Sequence, residues 1–106
     1  LNAGKLIAAG HAAQALAGTA MAKPKYRGRI TNELLKVERY IYDTDECRNI
    51  VIGIVIKAIA PFYTELKDKK VVIEFAKRQL KNRRNATRKK AEQFLKKAGS
   101  ERGIDT

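Results

Sequence analysis

The sequence predicts an all-α fold: a small helical bundle with a long basic helix toward its C-terminal end and an Ala/Gly-rich helical arm at its start. Three observations carry this. Apolar residues recur at helical spacing in Val71, Val72, Phe75, Ala76 and Leu80, and again in Ala91, Phe94, Leu95 and Ala98. Helix-start signals stand at Thr31 and in the Asp43-Thr44-Asp45 cluster. The one β-branched run, residues 49–61, would suit a buried strand, but its length, the cap signals before it and its Ala-Ile-Ala ending favour helix.

In chain order, residues 1–21 hold eight Ala and three Gly, with Lys5 the sole formal charge. Ala favours helix, whereas Gly4, Gly10 and Gly18 each cost ~1 kcal/mol in a helix interior, so the arm alone is marginal in water. Two readings stand: an arm that becomes helical against a neighbouring subunit or a phosphate backbone, and a frayed tail. Residues 22–30 form a connector in which Pro24 blocks helix continuation and Gly28 is a turn residue. Lys25, Arg27 and Arg29, beside Tyr26, suit either an extended basic segment lying along a nucleic-acid groove or a solvated linker.

Thr31 caps an expected helix over residues 32–42, with Leu34, Leu35, Val37 and Ile41 on its stripe. Asp43 with Glu46 resembles a capping box for the next helix, with Thr44 or Asp45 as alternative caps. That next helix, residues 49–61, is apolar nearly all round and must be surrounded. So short a chain has little to surround it with, which points to contacts with other subunits. Pro61 ends or kinks it, and a short helical turn through Phe62, Tyr63 and Leu66 follows. A continuous helix is then expected from residue 69 or 70 to Ala98, closed by Gly99. The organisation is an arm and connector (1–29), a helical domain (30–99) and a polar, loose tail (100–106).

The net charge of +12 is concentrated in residues 77–97. There Lys77, Arg78, Lys81, Arg83, Arg84, Arg88, Lys89, Lys90, Lys96 and Lys97 face one acid, Glu92. Such a balance implies a polyanionic partner. On a helical wheel the cations from Lys81 to Lys90 point in nearly every direction, and no large apolar residue falls between Leu80 and Ala91. The reading is a helix leaving the core with nucleic acid on more than one side, anchored by Phe75, Leu80, Phe94 and Leu95. Arg supplies bidentate phosphate contacts and Lys point charges. A membrane surface would require apolar residues opposite the cations, and residues 81–90 have none. No aromatic residue lies among them, which argues against base stacking and for duplex phosphates.

Little suggests catalysis or a cofactor. His11 is the only histidine and sits in the arm; Cys47 is the only cysteine, expected as a small buried hydrophobe. Asp43, Asp45 and Glu46 are explained by helix capping without a metal. The longest apolar run, residues 50–56, is short of the ~18–20 residues that span a bilayer. Residues 1–21 lack the charged start and continuous apolar core of a secretion signal. The chain begins at Leu1; processing from a longer precursor and an internal start at Met21 are both compatible with that.

The Ala/Gly-rich arm, the basic Pro-containing connector and the long basic helix together resemble the small major capsid proteins of filamentous archaeal viruses. That resemblance implies helical subunits wrapping double-stranded DNA, pairing with themselves or a paralogous subunit, with Lys81, Arg83, Arg84, Arg88, Lys89 and Lys90 lining the DNA channel and the connector cations helping. The expectation is a non-enzymatic, sequence-independent packaging protein with Lys77, Arg78 and those residues on phosphate, in a virion or, if cellular, on a cytoplasmic nucleoid. Two other classes remain: a basic nuclease or toxin domain acting on RNA, and a dimeric DNA-binding regulator.

Overall fold

The computed structural model describes the backbone of residues 3–102 and the side chains of residues 8–99. Among the described residues the chain is 85% helical, with five α-helices and no strand. They are α1 (Ala3–Ala22), α2 (Arg27–Leu35), α3 (Asp45–Ile59), α4 (Lys70–Arg78) and α5 (Asn85–Arg102). Tight 3-10 turns at Pro24–Tyr26, Lys36–Glu38, Ala60–Glu65 and Gln79–Lys81 join or extend them.

The residues 49–61 run is helical, and its cap is Thr44, whose extended backbone lets Oγ1 accept from the Cys47 N–H at 3.1 Å. Asp45 and Glu46 fill the first turn and Lys57 the last, matching the helix dipole at both ends. Pro61 ends α3 and opens the Ala60–Glu65 turn. The stretch Asp45–Glu65 is long and apolar enough to cross a membrane by composition, more than the 50–56 run suggests. Half of it is buried within the bundle, as befits a core helix.

What surrounds α3 is this chain itself. Helix α1 packs on it with Ala13, Ala17 and Ala20, and α5 packs on it with Thr87, Ala91, Phe94 and Ala98. Small side chains on both neighbours let the backbones approach closely, so a short chain can wrap an all-round apolar helix. The inference that α3 needs other subunits therefore loses its premise. Phe62, Tyr63, Leu66, Val72, Phe75 and Ala76 complete the core, and Tyr63 meets Phe94 edge to face with ring centroids 5.0 Å apart.

Several expectations need correction. The connector is not extended: Pro24 starts a helical turn, where its missing N–H costs nothing, and Arg27 opens α2. Thr31 is no cap but lies buried inside α2, its hydroxyl donating to the Arg27 carbonyl at 2.8 Å. Ile41 is outside any helix and 97% exposed. Cys47 is half-buried in the first turn of α3. The long C-terminal helix is broken between Arg78 and Asn85, and Leu80 lies in the break, largely exposed. At the far end α5 runs through Gly99 to Arg102; the rest of the expected loose tail, residues 103–106, lies outside the described residues.

Candidate nucleic-acid interface

The break between α4 and α5 is built by side chains. Asn82 has extended backbone (φ −62°, ψ 140°) and its Oδ1 accepts from the Arg84 N–H at 2.9 Å, an Asx turn that releases the chain from α4. Its Nδ2 donates to Asn49 Oδ1 and Gln79 Oε1, both at 3.1 Å. Gln79 Nε2 donates onward to Glu38 at 2.7 Å, and Arg78 grips the same carboxylate through Nε and Nη2 at 3.0 and 2.8 Å. One polar chain thus fixes the turn to the end of the α2 segment and to the start of α3.

Glu38 is pushed up by partial burial, but the hydrogen bonds from Arg78 and Gln79, helped by the Arg78 and Arg39 charges, more than reverse this and hold it below the usual carboxylate range. Reciprocally, the Glu38 hydrogen bond raises Arg78 above its ordinary value.

The same geometry sorts the sequence-predicted cations into two groups. Some guanidinium groups already serve the fold. Arg84 Nε meets Glu46 at 3.3 Å. Arg88 folds back on its own helix start, donating to the Asn82 and Arg83 carbonyls at 2.8 and 3.2 Å and to Asn85 Oδ1 at 2.9 Å. Arg27 donates to the Ala20 and Met21 carbonyls at 2.6 and 2.9 Å, closing the end of α1. By contrast Lys77, Lys81, Arg83 and Lys89 are exposed and carry no ion pair among the described residues. They cluster along the end of α4, the turn and the first turns of α5.

Lys90 occupies a third setting. Its half-buried stem crosses α3 at Gly53, where a Cβ would stand 3.4 Å from both Cδ and Nζ and 3.0 Å from Thr87 Oγ1. Burial lowers its ammonium first, and the neighbouring Arg84 and Lys57 charges lower it further. Lys57 of α3, Lys90 of α5 and Arg84 of the turn before α5 therefore stand near one another along the α3–α5 seam. Lys57 was missed by the sequence reading; the available signal was a lone charge inside an otherwise apolar run.

The basic residues do not surround α5 as a free helix would present them. Thr87, Ala91, Phe94 and Ala98 form a buried stripe, so α5 lies on the core and exposes one side only. Lys25, Arg27 and Arg29 are not brought to the seam. They line a separate cleft with Glu65, Lys67 and Asp68, and Lys25 stacks over the Tyr26 ring at 5.4 Å. His11 is exposed on α1, and the described residues contain no cluster of metal-ligating side chains.

Chemically, the corner offers point charges and donors for phosphate, with the positive end of α5 behind them. It offers no ring for stacking, since Phe62, Tyr63, Phe75 and Phe94 are all in the core. Comparison with known protein families, curated proteins and solved structures gives no match to this chain.

Proposed function

We propose that this chain is a non-enzymatic structural protein that binds double-stranded DNA through its phosphates, without sequence preference, as one subunit of a packaging assembly. The observation that carries the reading is the α3–α5 seam. Folding lays the Lys90 stem across α3 at Gly53, with the Arg84 and Lys57 charges near enough to lower its ammonium beyond what burial does, and among the described residues the ion pair found there is that of Arg84 with Glu46. Unpaired Lys77, Lys81, Arg83 and Lys89 extend the same surface. A polyanion relieves that repulsion; a neutral or basic partner does not. A filamentous virion is the setting that goes with the sequence resemblance.

One observation favours a second reading, a sequence-reading regulator. Helices α4 and α5 are joined by a tight turn, and α5 shows a discrete exposed face containing Asn85, Lys89, Gln93 and Lys96. Competition between unrelated duplexes of equal length separates the two. Packaging predicts equal displacement, intact DNA after prolonged incubation, and loading that grows with duplex length. One duplex preferred by about a thousandfold would establish the regulator instead, and breakage of the nucleic acid that survives repurification would overturn both.

A further inference from the structure

Beside α3, helix α1 and the end of the α2 segment border an apolar groove of about 680 Å³ to which no residue of α5 contributes. Ala9, Ala12 and Leu16 form one wall, and Leu34, Val37 and Tyr42 the other. On its rim stands Ile41, 97% exposed, and Tyr40 and Leu16, partly exposed, line the same groove. A wholly exposed isoleucine next to an apolar groove is a knob beside a hole on one face. That is the arrangement a two-fold axis needs, because each copy then supplies both parts.

Charge selects the occupant. Copies of a +12 chain repel one another wherever their basic surfaces meet. Helix α1 has no charged side chain from Ala8 to Ala22, and the only charged residues lining the groove are one acid, Glu33, and one base, Arg39. Those two charges balance, so this face adds no net repulsion between copies. An acidic protein or a nucleic acid finds no charge complement on this face. We infer that the groove is the docking site for a second copy of this chain, each copy placing Ile41 in the other's groove. Because no residue of α5 lines the groove, pairing this way does not use the α5 corner. The inference bears on the packaging reading by supplying a subunit contact, but its test contains no nucleic acid, so either can fail alone.

The test is sedimentation equilibrium of the full chain, without DNA, from micromolar to near-millimolar concentration. The expected result is a reversible dimer that tightens with salt, as screening removes the net repulsion. Ile41→Asp weakens it about tenfold or more while the circular dichroism melt stays unchanged, because Ile41 touches water in the single chain. Leu16→Glu, on the other wall, acts in the same direction, and Lys81→Glu does not weaken it. A wild-type chain that stays monomeric throughout overturns the inference. So does a dimer, or any larger assembly, that Ile41→Asp leaves intact.

Discussion

Helices α1 and α5 both pack on α3 and bury the same kind of stripe. In α1 it is Ala13, Ala17 and Ala20; in α5 it is Thr87, Ala91 and Ala98, with Phe94 added. Their exposed faces have nothing in common. One is uncharged from Ala8 to Ala22, and the other sets Arg88, Lys89, Lys90, Lys96 and Lys97 against Glu92. The packing requirement of α3 constrains only the buried stripe, by demanding small side chains. The outer faces are free to diverge, and they have diverged toward an uncharged surface on one side and a cationic one on the other. That division of labour is what the following experiments break or sharpen.

The largest effect is expected on binding. Reversing Lys81, Arg83 and Lys89 to Glu together weakens duplex binding by roughly a thousandfold at low salt, while His11→Ala with Gln14→Ala on α1 leaves it unchanged. Titration of a labelled duplex measures both. Equal losses from the two flanks would erase the comparison.

Next come the stripes. Ala91→Leu forces a larger side chain between α3 and α5 and costs ~3 kcal/mol in urea unfolding. Ala17→Leu lies nearer the solvent edge of α1 and costs less, ~1 kcal/mol. The glycines sharpen the same contrast. A Cβ at Gly18 meets open space, so Gly18→Ala stabilises by up to ~1 kcal/mol through helix propensity. At Gly53 the Cβ would press on Thr87 Oγ1, which is held by its 2.7 Å hydrogen bond to the Asn49 carbonyl. There the propensity gain is outweighed, and Gly53→Ala destabilises by ~1 kcal/mol. A stabilising Gly53→Ala would mean that α5 is not locked against α3.

The smallest effect is electrostatic. The carboxyl of Glu38 is lower in the folded chain than in the unfolded one, so its contribution is present above the unfolded value. It is lost as pH falls through the lowered folded value. Glu38→Gln should therefore flatten the acid limb of the stability profile and cost about 1 kcal/mol at neutral pH, modest because Arg78 is largely solvated. Lys90 has the same slope with pH but the opposite effect at neutral pH, where its charged form is a cost to the fold. Its folded ammonium is lowered, so the unfolded chain binds more protons in the alkaline range and stability rises as pH climbs through the lowered value.

The helical class and the α3 helix were legible because they depend on local pattern, whereas the cap was narrowed only to Asp43, Thr44 or Asp45, and it is the alternative Thr44, not the Asp43 capping box, that accepts from Cys47. The break at residues 79–84 was not legible. Leu80 continues the α4 periodicity, and what interrupts it is Asn82 reaching Asn49, together with Gln79 and Arg78 reaching Glu38, contacts more than thirty residues apart. The Asn-Arg-Arg-Asn run was the one local hint of a turn. The buried face of α5 was hidden for another reason: Thr87 is fully buried although it reads as polar, and Ala91 adds little hydrophobic signal. The charge surplus singled out residues 77–97. It could not tell cations that serve the fold, such as Arg84 and Arg88, from those left outward, because that depends on where Glu46 and the turn carbonyls fall.

The central claim is that the α5 flank, and not the α1 flank, grips phosphate irrespective of sequence. The salt dependence of duplex binding tests it most directly. With Lys57, Lys77, Lys81, Arg83, Lys89 and Lys90 each neutralising a phosphate, the logarithm of affinity should fall against the logarithm of salt with a slope near −5. The slope should be the same for unrelated duplexes, and Arg83→Ala with Lys89→Ala should flatten it by about two. A slope near zero, or one that these substitutions leave untouched, would contradict the account.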